Sequence, residues 1–205
     1  TFCCEEYKSL FSINVDSDNK IFSSKEGVLY NKEQTSLLFY PQAKKGTEFI
    51  VPNSVKNIRA AAFAFSNELE KIIIPKNVVS IGKSAFLQCR HLKQVRLPDS
   101  ITSIQKNTFY KCTGINSITI PQNVKKIDKQ AFANCINLKE VRLPKNLEEI
   151  EYASFENCRS LINITIPESV HKIGPSAFAF CSSLNSITIP TNVRTIEGCV
   201  FYNCS

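Results

Sequence analysis

Histidine is nearly missing from this sequence. His91 and His171 are the two present, and they fall at different places in the pattern described below, so spacing pairs no nucleophile with a base. Glycine-rich phosphate-binding loops are absent as well. No apolar run approaches the ~18 residues that cross a bilayer, and Thr1 to Leu10 lack the basic-then-apolar order of a secretion signal. These gaps predict a non-enzymatic chain with no cofactor and no metal site, attached to a membrane only through an anchor outside this segment.

What is present is periodic. Seven of the nine prolines, Pro52, Pro75, Pro98, Pro121, Pro144, Pro167 and Pro190, stand 23 residues apart without insertion or deletion. A period of that size signals a solenoid, in which units contact only their neighbours and length counts coils rather than globules. Twenty-five Lys and Arg against 18 Asp and Glu give a net charge of +7, enough for mild attraction to anionic surfaces but not for specificity.

From Gly46 onward each repeat reads Leu-x-x-Ile-x-Ile-Pro-x-Asn/Ser-Val-x-x-Ile-x-x-x-Ala-Phe-x-x-Cys-x-x. Pairs such as Ile118 and Ile120, Val141 and Leu143, or Ile164 and Ile166 alternate with polar residues, which predicts a half-buried strand. Proline has no N–H for a ladder, so it ends that strand at the same height in every coil. A second apolar pair three residues apart, such as Val78 and Ile81, suits a short extended return segment given its β-branched residues. In the Ala-Phe-x-x-Cys stretch, Phe86 and Cys89 or Phe132 and Cys135 would share one face of a helical turn.

Residues 1 to about 45 follow the rule loosely. Leu10, Ile13 and Val15 reproduce the spacing of one strand, but no proline follows. Two apolar runs around a polar connection predict a β-hairpin inserted at about residues 28–40. The expected division is therefore an irregular N-terminal repeat, 1–45, followed by one continuous solenoid, 46–205. Phe201 to Ser205 copies the start of the stretch from Phe155, so the chain reads as a piece of a longer protein.

The stretch Ile74-Pro75-Lys76-Asn77-Val78-Val79-Ser80-Ile81-Gly82-Lys83-Ser84-Ala85-Phe86-Leu87-Gln88-Cys89 resembles the BspA-like, or treponemal-type, leucine-rich repeats, and in-phase copies extend that resemblance over most of the chain. Ser24 to Lys32 also looks like an insertion recurrent in that family. Departures cluster early: Gly46 stands for the first Leu, Phe49 for an Ile and Ser66 for the Cys. The resemblance implies a right-handed leucine-rich-repeat solenoid with a parallel sheet on its concave face. It also implies a place among cell-surface or extracellular proteins that adhere to host cells, matrix protein or glycan.

Several columns could carry chemistry. Cys89, Cys112, Cys135, Cys158, Cys181 and Cys204 form one column. Neighbouring coils about 4.8 Å apart hold thiols farther apart than the ~3.8 Å between Cβ atoms that a disulfide prefers. They are expected to be buried as small hydrophobes. Cys3, Cys4 and Cys199 lie outside that column and are the candidates for oxidation. The polar column Ser54, Asn77, Ser100, Asn123, Asn146, Ser169 and Asn192 should bond turn backbone or its equivalent in an adjacent coil.

Outward strand residues are the binding candidates: Lys71 with Ile73, Gln94, Arg96, Ser117, Thr119, Glu140, Arg142, Asn163, Thr165, Ser186 and Thr188. No aromatic anchors occur among them, which points to modest affinity per coil summed over several coils. A second candidate is a basic edge of Lys83, Lys106, Lys125, Lys126 and Lys129. It underlies the alternative reading of a polyanion-binding or intracellular scaffolding repeat, although without interleaved aromatics no specific nucleic-acid binding is expected. Glu148, Glu149 and Glu151 read as a solvated acidic face. Asn163 and Asn203 open glycosylation sequons.

Overall fold

The structure is a computed structural model that describes residues 9–204, and among these no helix forms. The N-terminal part is an antiparallel meander of β1 (Phe22–Lys25), β2 (Val28–Asn31) and β3 (Ser36–Phe39). Thereafter five successive coils carry a three-residue strand and a two-residue strand, and the next keeps only the two-residue strand. These are β4 (Glu48–Ile50) with β5 (Asn57–Ile58), β6 (Lys71–Ile73) with β7 (Ser80–Ile81), and β8 (Gln94–Arg96) with β9 (Ser103–Ile104). They continue as β10 (Ser117–Thr119) with β11 (Lys126–Ile127), β12 (Glu140–Arg142) with β13 (Glu149–Ile150), and β14 (Lys172–Ile173). The chain is thus a parallel-strand solenoid.

Two parallel ladders run along it. The first joins β4, β6 and β8, then β10 and β12, and continues as single bridges from Glu140 to Asn163 and from Asn163 to Ser186. Its register is the sequence period itself: Phe49 faces Ile72, and Ile72 faces Val95. Val51 and Ile120 each donate one last N–H to the next coil, at 3.0 and 2.9 Å, immediately before the proline that ends the ladder. The second ladder joins β3, β5 and β7, then β9, β11, β13 and β14. The return pair is extended, as its β-branched residues predict.

The Ala-Phe-x-x-Cys stretch is not helical, which corrects the expected helical turn. Alternate N–H groups serve two purposes. Ala85, Leu87 and Cys89 donate three residues back, to Gly82, Ser84 and Phe86, while Ser84, Phe86 and Gln88 donate to Lys106, Thr108 and Tyr110 of the next coil. Bonds spent between coils cannot close the i to i−4 pattern of a helix. The path also requires left-handed backbone at Ser84 (φ 58°) and Gln88 (φ 55°), repeated at Asn107 and Lys111 and at Gln130 and Asn134. L-residues adopt that region at a cost, which the inter-coil bonds hold in place.

Inside, the phenylalanines stack. Phe63, Phe86, Phe109, Phe132 and Phe155 lie 5.3 Å apart between ring centroids, and Tyr40 occupies the same column 5.3 Å from Phe63. Phe49 is buried and meets Tyr40 edge-on at 5.0 Å, so the N-terminal end of the core closes on aromatics. One buried apolar cluster runs from Val28 to Val200.

Leu10, Ile13 and Val15 do not form a strand. Their backbone laces onto the meander instead: Ile13 N–H donates to the Gly27 carbonyl at 2.9 Å, and Val15 N–H donates to Ser24 Oγ at 2.9 Å. The positions one period further on fall around β3, whose two edges are already taken by β2 and β5. Gly27 allows the close approach, since it holds φ +77° and a Cβ there would lie 2.6 Å from Ser12 Oγ.

Both ladders break along one seam of the winding, between residues 80–96 and residues 103–119. No pairing joins β8 to β10, or β7 to β9. The turn column crosses that seam intact, with Phe86 and Phe109 stacked and Ser84 bonded to Lys106.

Candidate recognition surface

The first ladder's outward residues are set by its period of two. Ile72, Ile118, Val141 and Ile164 point into the core, so the residues beside them must point out. Gln94, Arg96, Ser117, Thr119, Glu140, Arg142, Asn163, Thr165, Ser186 and Thr188 are all exposed, and Lys71 is half-buried. The structure brings them together as two parallel rows on one face. Reading alternation from the prolines backward also reaches Glu48 and Ile50, which the sequence list omits. Ile50 is 63% exposed and is the rung partner of Ile73, at 38%. At the N-terminal end of the face, the row beside the prolines is therefore apolar.

Charge on this face is partly matched within the chain. Lys71 pairs with Glu48 across one rung at 3.0 Å, and Arg142 Nε reaches Glu140 Oε1 of its own strand at 2.7 Å. Arg96 has no ion-pair partner among the described residues. Around it lies an open hollow of about 760 Å³, lined by Lys71, Ile73, Gln94, Ser117 and Thr119 among others, across the break in the ladder.

The expected basic edge is not a continuous positive stripe. Lys125 pairs with Glu148 at 2.8 Å, and Lys126 reaches Glu149 at 2.8 Å and Glu151 at 2.9 Å. Lys83, Lys106 and Lys129 are exposed with no ion pair among the described residues. Nor is the acidic cluster uniformly solvated: Glu151 is 6% exposed and is held from both sides by Lys126 and Lys172, each at 2.9 Å. Burial opposes its charge, but the hydrogen bonds from Lys172 and Lys126 outweigh burial and hold its carboxyl down at about 2.

The thiol column is buried from Cys89 to Cys181. Each Sγ also donates to the Phe carbonyl of the preceding coil, as Cys89 to Phe63 at 2.9 Å and Cys135 to Phe109 at 3.0 Å. The cysteines are thus small hydrophobes with a stitching bond. Burial pushes the Cys89, Cys135 and Cys181 thiols up to about 12. The polar column stitches too: Asn77 Nδ2 donates to the Asn53 and Val55 carbonyls, and Ser169 Oγ to those of Lys145 and Leu147. Cys199 is exposed and Cys204 is half-buried, whereas Cys3 and Cys4 lie outside the described residues. Asn163 is exposed on the ladder face, and Asn203 is exposed with its sequon's Ser205 outside the described residues.

The geometry has known counterparts. A leucine-rich repeat protein from Eubacterium ventriosum is 28% identical with a TM-score of 0.72, over 90% of this chain and 55% of that one. A leucine-rich cell surface protein from Faecalibacterium prausnitzii is 30% identical with a TM-score of 0.72, over 82% of this chain and 43% of that one. The pneumococcal vaccine antigen PcpA shares the fold at 23% identity and a TM-score of 0.61, over 90% of this chain and 50% of that one. The chain thus spans about half the length of these structures. No curated protein matches the sequence. The model of the BspA-type leucine-rich repeat region matches residues 35–127 and 102–205, in six copies. With prolines, stacked phenylalanines and thiols all in one period, the chain belongs to the BspA-type leucine-rich-repeat family.

Proposed function

We propose that this chain is a non-enzymatic recognition module of the cell surface, binding a host-cell or extracellular-matrix protein or carbohydrate through the outward face of its first ladder. The observation that carries this reading is the hollow around Arg96, where a cation with no ion pair among the described residues lies beside the exposed Ile73. An unpaired arginine next to apolar area is the composition of an interface anchor. The name of the Faecalibacterium protein, a cell surface protein, supports the location. Repetition along the sheet supplies the remaining affinity by summing weak contacts.

The polyanion-binding alternative is less well supported, because Lys125 and Lys126 already have carboxylate partners. The test replaces Arg96 and Arg142 together by Ser and measures adhesion to host cells and immobilised matrix protein. Loss of adhesion at physiological salt is expected. Unchanged adhesion overturns the assignment to this face, and binding that depends instead on Lys83, Lys106 and Lys129 and vanishes between low and physiological salt would favour the alternative.

A further inference from the structure

A second cleft lies on the other ladder, independent of the face described above. Its volume is about 650 Å³, within the usual range of roughly 300–1,000 Å³ for ligand sites. Phe22 of β1 and Leu38 of β3 supply an apolar wall, and Asn57 and Ser80 line it from β5 and β7. Arg59 and Lys83 are its two cations, and Gln105 comes from the next coil. No carboxylate lines it, and neither cation has an ion-pair partner among the described residues.

The same ladder shows further along what cations on this surface hold. Glu151 stands in the repeat column of Arg59 and Gly82, and its buried carboxylate is clamped by lysines of the coils on either side. At the N-terminal end the column carries the cation itself, and no side chain of the described residues answers it. The ladder break adds unused backbone. Gly82, Asp128, Glu151 and Gly174 each donate N–H to an isoleucine carbonyl of the preceding coil at 2.8–2.9 Å, whereas no such bond joins Gln105 to Ile81. A cleft with an apolar wall, two cations and the Gln105 N–H, unpaired among the described residues, suits an extended peptide. A sulfated glycan would use the charges but leave Phe22 and Leu38 uncovered.

We propose that this cleft is a second binding site, specific for an acidic peptide segment in which a carboxylate side chain adjoins an apolar one. The carboxylate lies between Arg59 and Lys83, and the apolar side chain packs on Phe22 and Leu38. The probe is a fluorescein-labelled Glu-Phe-Asp-Leu peptide, blocked at its C-terminus, with Gln-Phe-Asn-Leu as its neutral control and dextran sulfate as the polyanion control. Fluorescence polarisation should show the acidic peptide bound at least about tenfold more tightly than the neutral one. Arg59→Ser with Lys83→Ser should lower that affinity by at least about tenfold, and Lys83→Glu alone should lower it as well. Phe22→Ser should weaken the peptide and leave dextran sulfate binding unchanged, and Arg96→Ser, on the other ladder, should leave the peptide affinity unchanged. The proposal is overturned if the wild type does not bind the acidic peptide or if the cation variants bind it normally. It is overturned equally if Phe22→Ser has no effect, or if Arg96→Ser weakens the peptide as much as the cleft variants do.

Discussion

At the residue scale, the cysteine column shows how one small side chain can fill two roles. A thiolate is the reactive form, and thiols whose pKa burial raises well above the ordinary value stay protonated at neutral pH. Cys112, Cys135 and Cys158 should therefore remain unlabelled by a disulfide reagent in the native protein and react once it is denatured. Exposed Cys199 should label at once. Fast native labelling of the three buried thiols would refute the column as drawn. Ser66 is the exception that tests the stitching bond: it stands in the cysteine column, fully buried, and its Oγ has no hydrogen-bond partner among the described residues. Restoring the longer side chain with Ser66→Cys should stabilise the fold by about 1 kcal/mol, read from urea unfolding. The departure at Ser66 is visible in the sequence, but its cost is set by the burial that leaves its Oγ without a partner among the described residues.

At the element scale, the turn column is the continuous spine and the ladders are its flanks. Phe132 stacks on Phe109 and Phe155 at 5.3 Å on each side and is fully buried, so Phe132→Ala should cost about 3–5 kcal/mol in chemical denaturation. A loss below about 1 kcal/mol would mean that neighbouring coils collapse into the gap. The second ladder carries a pH-dependent clamp. Unfolded, Glu151 takes up its proton near the usual 4.5; folded, near 2. Between those values the unfolded chain binds more protons, so the clamp's contribution is complete above 4.5 and is lost as pH falls toward 2. Lys126 and Lys172 are about two-fifths exposed, so screening reduces that contribution to the order of 2 kcal/mol. Glu151→Gln should flatten the acid limb of stability in that window and leave two lysines facing each other. An unaltered acid limb would show that the clamp contributes nothing. This network was legible in principle, because Glu148 and Glu149 stand one period after Lys125 and Lys126. Of the five lysines along that edge, Lys125 and Lys126 face carboxylates one coil later and the other three do not.

At the scale of the whole molecule, the break in both ladders along one seam divides the sheets while the phenylalanine spine runs on. Amide protection follows hydrogen bonding that must open for exchange. The Gln105 amide should accordingly exchange at least about tenfold faster than those of Asp128 and Glu151, measured by hydrogen exchange in solution. Equal protection would mean that the ladder is continuous across this step.

The sequence by itself determined the period, the proline that stops each first strand, the inward columns and the outward rows, because each follows from a local rule applied again every 23 residues. It also marked the antiparallel strands near residues 28–40, where two β-forming runs flank a polar link. Only the tertiary structure decided how the Phe-x-x-Cys turn spends its N–H groups, which lysines find carboxylates, where the ladders part, and how the meander walls a cleft. The physical reason is that all four depend on the distance between coils and on the side chains one period apart. A repeat specifies its own path, and the fit between two repeats is settled only when they stack.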